Sequence, residues 1–147
     1  MSFEVVLLDE SSLEDVVELE KACFAYHWTR EQFLMGLKDG IYVVLGAKEA
    51  DFLTGYIAFS VIEDEMEILN LAVSPDRRRL GVGTALLRCA MELCKLKGVA
   101  KSFLDVKESN VSAQNLYNKF GYVQIGIRKR YYPDTKEDAL LFRYDFI

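Results

Sequence analysis

The sequence predicts an α/β protein built on a mixed sheet, with elements in the order β-α-α-β-β-β-α-β-α-β-β. Three observations carry that expectation. The run EILNLAVS, residues 67–74, is almost continuously apolar, as a central strand covered on both faces requires. From Val82 the period changes, and Leu86, Leu87, Ala90, Met91, Leu93 and Cys94 recur at helical spacing with Gly98 as a stop. Short apolar runs separated by turn residues flank this strand–helix unit on both sides.

In chain order, FEVVLLD is the first strand. Ser11 or Ser12 caps a helix reaching Cys23, with Glu14 and Asp15 favourably placed in its first turn. Thr29 begins a second, short helix, TREQFLMGL. IYVVLGAK and FLTGYIAFSVI are strands joined by a turn around Lys48 to Asp51, and EILNLAVS follows. After the helix from Val82, KSFLDVK is a strand. SNVSAQNLYNKFG is a helix opened by Ser109 or Asn110 and closed by Gly121. YVQIGIRKR and DALLFRYDF are the last strands, flanking a turn at Pro133 and Asp134.

The 147 residues predict one domain, 1–147, long enough for a real core. A hydrophobic fraction of 51% and a charged fraction of 28% are those of an ordinary soluble protein. The net charge of −5 argues against non-specific nucleic-acid binding and favours cationic small molecules or basic peptides. No apolar run approaches the roughly 18 residues of a membrane span. MSFEVVLLDE has no basic region before its apolar run, so it does not read as a secretory signal, and a cytoplasmic location is expected. Cys23, Cys89 and Cys94 are odd in number and lack C-x-x-C spacing, which reads as small buried hydrophobes in a reducing compartment. With His27 as the single histidine, no histidine-rich metal site is expected.

Function concentrates in VSPDRRRLGVGTALL, residues 73–87, where a strand enters a basic, glycine-bearing loop and a helix leaves it. A helix start exposes unpaired N–H groups and the positive end of the macrodipole, an anion site before side chains are counted. Gly81 and Gly83 let an anion approach those amides and permit positive φ. A Walker loop would need a lysine after the second glycine, and a dinucleotide fingerprint would need a glycine where Leu86 stands, so neither nucleotide motif fits.

Arg78-Arg79-Leu80-Gly81-Val82-Gly83, preceded by LAVSP, resembles the [QR]-x-x-G-x-[GA] loop of the GNAT N-acetyltransferases. LDVKESNVSAQNLYNKFGY resembles the second half of the same family's core. The resemblance implies a single GNAT-like domain with a mixed, mostly antiparallel, twisted sheet flanked by helices. It implies that acetyl-CoA is the co-substrate, with its pyrophosphate on the amides of Arg78, Arg79, Leu80, Gly81, Val82, Gly83 and Thr84. Backbone groups near Leu71 and Val73 would pair with the pantetheine arm, which Asn110 would also contact. Tyr117 would protonate the departing thiolate, a sensible role for a phenol when coenzyme A is the leaving group.

Within the superfamily, EILNLAV, LDVKESN and the ending RKRYYPDTKEDALLF resemble the RimI branch, the ribosomal-protein-alanine N-acetyltransferases. HWTREQF resembles a segment on that branch's substrate side, with Trp28, Tyr131 and Tyr132 as substrate contacts. The branch implies acetyl transfer to a protein N-terminal α-amine, with the alanine of a small-subunit ribosomal protein as the expected acceptor. An α-amine, with a pKa of about 8, is roughly a tenth neutral at pH 7, whereas a lysine amine near 10.4 is almost wholly charged.

The branch has a glutamate base where this chain has Asp105, one methylene shorter, which favours a bridging water. Glu67 and Glu108 are alternative bases. The acidic run EDEMEI, residues 63–68, is either a solvated turn or an attraction for a basic peptide. Two other functions fit the same motifs: a GNAT enzyme acting on a lysine, polyamine or other small amine, and a non-catalytic acyl-CoA-binding module.

Overall fold

Seven strands form one sheet, in the spatial order Glu4–Leu7, Val43–Glu49, Phe52–Ile62, Glu65–Val73, Lys101–Lys107, Ala139–Asp145, Val123–Arg128, with helices packed on both faces. The computed structural model describes residues 2–147; Met1, in the N-terminal stretch read above, lies outside them. Along the chain come β1 (Glu4–Leu7), α1 (Leu13–Cys23), α2 (Arg30–Leu37), β2 (Val43–Glu49), β3 (Phe52–Ile62) and β4 (Glu65–Val73). Then follow α3 (Val82–Leu96), β5 (Lys101–Lys107), α4 (Val111–Lys119), β6 (Val123–Arg128) and β7 (Ala139–Asp145). This is the expected order of elements, and the sheet is mixed and mostly antiparallel. Strands β1 to β4 pair antiparallel, as do β5, β7 and β6, and the parallel pair β4–β5 joins the two halves.

Local chemistry explains the helix boundaries. Thr29 and Gln32 form a reciprocal capping box at the start of α2. At α1 the expected serine cap is replaced: Ser12 makes no side-chain cap bond, and Asp9 instead caps a short 3-10 turn, Glu10–Ser12, that leads into the helix. Asn110, not Ser109, caps α4 by accepting from the Ala113 amide at 3.2 Å. Gly98 and Gly121 end their helices with φ of +79° and +98°, as a left-handed stop demands.

The apolar face of α3 packs Val82, Leu86, Leu87, Ala90, Met91 and Cys94 onto Leu45, Ile57, Phe59, Ile68 and Leu104 of the sheet. Each Val, Leu, Ile, Phe or Met side chain among them contributes about 1.5–3 kcal/mol by leaving water. Leu93, counted in the apolar face from its spacing, lies at the edge of that face and is exposed. On the opposite side, α1 and α2 cover Val44, Tyr56, Ala58 and Ala72 with Val16, Val17, Leu19, Phe33 and Leu37. Cys94 is buried and Cys23 and Cys89 are half-buried; burial pushes the Cys94 thiol up to about 11.

Strand β4 departs from expectation at both ends. It begins at Glu65, so the acidic run is not all turn, and the reversal is confined to Glu63 and Asp64. Its pairing with β5 stops at Ile68 opposite Leu104. There the register with β3 shifts, from Ile68 opposite Phe59 to Asn70 opposite Ala58, leaving Leu69 as a bulge residue. Beyond the bulge β4 and β5 diverge, so the strand, packed on both faces as expected, has no strand neighbour on one edge along its last five residues, and Asn70, Leu71 and Val73 are only half-buried. That opening positions the site.

Candidate functional site

One wall of the opening is a strand edge. The Ser74 amide donates to the Thr54 carbonyl at 2.8 Å, on the β3 side. Main-chain direction alternates along a strand, so the amides and carbonyls of Leu71 and Val73 point away from β3, into the gap left by β5. Both residues expected to offer backbone groups therefore do face the opening. Two of those groups already have partners from the chain itself. The Leu71 amide donates to Asn70 Oδ1 at 3.0 Å. The Val73 carbonyl accepts from Arg78 Nε at 3.1 Å and from the Cys23 thiol at 3.4 Å.

The foot of the opening is the basic loop. Arg77 is held by Glu49 at 2.8 Å and Asp76 at 3.0 Å, which makes it a fastening of the loop. Arg79 has φ +65° and Gly81 φ +84°, two left-handed residues that turn the chain sharply into α3. The ladder of α3 begins with Ala85 donating to the Gly81 carbonyl at 3.0 Å, and no side chain caps the helix. The amides of Val82, Gly83 and Thr84 are thus left for an anion. A Cβ on Gly81 would meet nothing within 4 Å, whereas one on Gly83 would lie 3.6 Å from Leu116 and 3.7 Å from Val73. From Leu116 an open groove of about 610 Å³ follows α4, lined also by Ser112, Asn115, Asn118 and Lys119. Free amides, a glycine with space above it and a strand edge with no neighbouring strand fit an extended ligand with a phosphate group.

The other wall comes from the end of β5 and from α4. Tyr117 is 5% exposed, edge-on to Tyr122 at 5.7 Å and to Phe142 at 6.4 Å. Among the described residues no buried side-chain oxygen lacks a partner, and the Tyr117 hydroxyl has none, so that hydroxyl reaches solvent. Burial, with small contributions from Tyr122 and Tyr132, raises its pKa far above the ordinary phenol value. The Asn110 carboxamide oxygen serves as the α4 cap, leaving its nitrogen to face outward.

On the α1–α2 face of the sheet, Glu67 sits opposite Phe103, and Asp105 lies two residues farther along β5. By strand geometry the two carboxylate-bearing residues are about 8 Å apart. Asp105 has an Arg128 partner, Nε at 3.6 Å, and so is a strand residue with a cation beside it. Glu67 is exposed, and no ion pair holds it among the described residues. Glu108 lies past the end of β5, exposed, its amide donating to the Asp138 carbonyl. Tyr131 and Tyr132 sit on the β6–β7 loop, 5.3 Å apart, with Arg128 over the first ring at 5.5 Å and Lys107 over the second at 5.1 Å. Burial first, and the Asp105 charge next, push the Tyr132 hydroxyl up to about 12.

Trp28 lies on the α1–α2 loop against Phe33 at 5.3 Å and Tyr42 at 5.7 Å. With Gln32, Met35, Ile41, Tyr42, Ser60, Ile62 and the bulge residue Leu69, it lines an open groove of about 330 Å³. Trp28 is therefore joined to the reaction side of β4 through Leu69, while Tyr131 and Tyr132 stand on the β5 side. Sequence reasoning missed Asn70, Glu20 and Tyr56, which meet behind the bulge. The one available signal was Asn70, a lone carboxamide inside the apolar run EILNLAVS. Among the described residues, no group of three or more histidines, cysteines and carboxylates could hold a metal ion, and no helix is long and apolar enough to cross a membrane.

Residues 13–122 match the acetyltransferase (GNAT) family. The chain is 39% identical over 130 residues to the putative [ribosomal protein bS18]-alanine N-acetyltransferase of Bacillus subtilis, covering 88% of this chain and 86% of that protein. It is 30% identical over 136 residues to the [ribosomal protein bS18]-alanine N-acetyltransferase of Escherichia coli, covering 91% of each. The crystal structure of the Escherichia coli ribosomal-protein-S18-alanine N-acetyltransferase superposes with a TM-score of 0.91 at 28% identity, over 98% of this chain and 94% of that one. The chain belongs to the GNAT family, on its RimI-like branch, and is an acetyl-CoA-dependent N-acetyltransferase.

Proposed function

We propose that the enzyme acetylates the N-terminal α-amine of a protein, with an alanine-terminated small-subunit ribosomal protein as its acceptor. The observation that carries this reading is the near full-length similarity to two enzymes named for that acceptor. The site's chemistry supports it. The loop from Arg78 to Thr84 takes the pyrophosphate, and the strand edge at Leu71 and Val73 takes the pantetheine arm. The acceptor enters between the Trp28 side and the Tyr131–Tyr132 loop.

Two carboxylates face that entrance. Asp105 or Glu67, directly or through a water, removes a proton from the ammonium form. The neutral amine attacks the thioester carbonyl, the C–N bond forms, and the C–S bond breaks toward sulfur. Tyr117 donates a hydrogen bond to the sulfur as its negative charge grows. A phenol is a weaker acid than a thiol, so complete surrender of its proton to a thiolate is uphill. Tyr117 then steadies the thiolate until a proton arrives from the ammonium side or from water. An α-amine suits this weak base better than a lysine amine, which is more than two pKa units harder to deprotonate.

The test uses acetyl-CoA and a peptide beginning with alanine and containing one internal lysine, alongside a copy with a blocked N-terminus. Mass spectrometry locates the label. Acetyl on the free α-amine alone is expected; acetyl on lysine in both copies overturns the reading.

A further inference from the structure

Glu20, in the last half of α1, is 1% exposed, and no lysine or arginine pairs with it among the described residues. Removing a lone carboxylate from water costs several kcal/mol, which an apolar side chain of the same volume would avoid. Three neutral donors offset part of that cost. The Trp28 amide donates to Oε2 at 2.9 Å, the Tyr56 hydroxyl donates to Oε1, and Asn70 Nδ2 donates to Oε1 at 2.8 Å. Asn70 Nδ2 also donates to the Tyr56 oxygen at 2.7 Å, and Asn70 Oδ1 accepts from the Leu71 amide at 3.0 Å.

A carboxylate that only accepts sets the direction of every bond in this chain. Both Asn70 N–H groups are spent on Glu20 and Tyr56, so the Asn70 carbonyl oxygen must turn to Leu71, whose amide points into the opening. On its other side the same carboxylate grips the main chain at Trp28. One buried group therefore ties the acceptor-side loop to the bulge of β4.

We infer that Glu20 is a positioning residue for acetyl transfer: it holds the Trp28 loop and the Leu69–Leu71 bulge in one fixed relation, so that acceptor and thioester meet at attack distance. The inference rests on the acetyltransferase activity and on the acceptor entering beside Trp28. Glu20→Gln preserves shape but replaces one acceptor oxygen with a donor. Whichever way the new amide turns, its nitrogen faces the N–H of Trp28 or of Asn70, and one strut is lost.

The experiment compares wild type, Glu20→Gln and Tyr56→Phe by far-UV circular dichroism, thermal melting, and kcat with KM for each substrate, well below the melting temperature. The wild type is first run on the alanine-terminated peptide and on a free polyamine, and the variants are then assayed with whichever acceptor it uses. That first run judges the proposed acceptor; the ratio of variant to wild type judges Glu20. The expected result is a folded Glu20→Gln enzyme with kcat reduced about ten- to a hundredfold, the size of a misplacement near 1 Å. Its KM for acetyl-CoA changes by a smaller factor than kcat, because the phosphate loop is untouched and only the Leu71 end of the strand edge is disturbed. Tyr56→Phe, which removes a single hydroxyl from the chain of bonds, shows a smaller loss of the same kind. A lowered melting temperature with unchanged kcat in both variants overturns the inference and leaves Glu20 a structural residue. If Glu20→Gln fails to fold, Tyr56→Phe decides alone by the same criterion.

Discussion

Gly81 and Gly83 share a motif but stand in different physical situations, and alanine at each separates them. At Gly81 the backbone is left-handed, φ +84°, and a Cβ there would meet no protein atom within 4 Å. Gly81→Ala therefore costs about 1–2 kcal/mol in backbone strain. For a chain of this length that lowers Tm by roughly 2–8 °C. The larger effect is on coenzyme. The added methyl projects from the residue that opens the free amides, and losing one or two charge-assisted bonds to pyrophosphate costs about 1.5–3 kcal/mol each. Affinity for coenzyme A should fall by roughly tenfold to twenty-thousandfold.

Gly83 has no such backbone demand. Its Cβ would rest at 3.6 and 3.7 Å from Leu116 and Val73, ordinary contact, inside the first turn of α3. Gly83→Ala should gain up to about 1 kcal/mol of helix propensity and leave coenzyme affinity within a few-fold of wild type. Calorimetric titration with coenzyme A and thermal melts of both variants give the answer. Wild-type affinity in Gly81→Ala, or an equal loss in both, refutes the account of the loop.

Three further outcomes follow from the site. Tyr117→Phe should lower kcat while leaving acetyl-CoA affinity nearly intact; unchanged turnover would make Tyr117 a packing residue between Tyr122 and Phe142. Asp105→Asn and Glu67→Gln should divide the base function, and the variant that loses more kcat at pH 7 and recovers it at pH 9, where the amine is already neutral, identifies the base; no recovery in either refutes a proton-removing role. Stability should hold from pH 6 to 8 and fall above about pH 9–10. Tyr42 and Tyr132 are pushed up to about 12 and Cys94 to about 11, so the folded state keeps protons that the unfolded chain releases near 8.5 to 10. A Tm unchanged at pH 11 would contradict that sign.

Local chemistry was legible wherever a few neighbouring residues decide the outcome. The start of α2 at Thr29, the glycine stops at Gly98 and Gly121, and the helical spacing from Val82, Leu93 apart, formed as expected. Helix α1 begins after Ser12, one of the two expected caps, but the Ser12 hydroxyl makes no cap bond because Asp9 caps the 3-10 turn ahead of it. The main features of the site that escaped were those set by distant partners. EILNLAVS is apolar enough for a covered strand, yet β5 leaves it at Ile68, a register decided across the sheet and not within the run. Glu20 looks like any charged residue of an amphipathic helix until Tyr56 and Asn70, 36 and 50 positions away, fold onto it. The loop motif marked where uncapped amides gather at the start of α3; the depth of the gap beside it is a property of the fold.

The parallel seam between β4 and β5 has a consequence for cooperativity. Four residue pairs, Glu65 to Ile68 against Lys101 to Leu104, are the strand contacts across which the antiparallel halves meet. A ligand lying along the free edge of β4 would extend that seam and bridge the halves. Occupancy should then slow amide hydrogen exchange at residues 65–68 and 101–104, which lie outside the proposed coenzyme contacts, as well as at the edge itself. A co-substrate seated there would act as a further strand of the sheet as well as the source of the acetyl group, adding to the shared core under α3 that already joins the two halves.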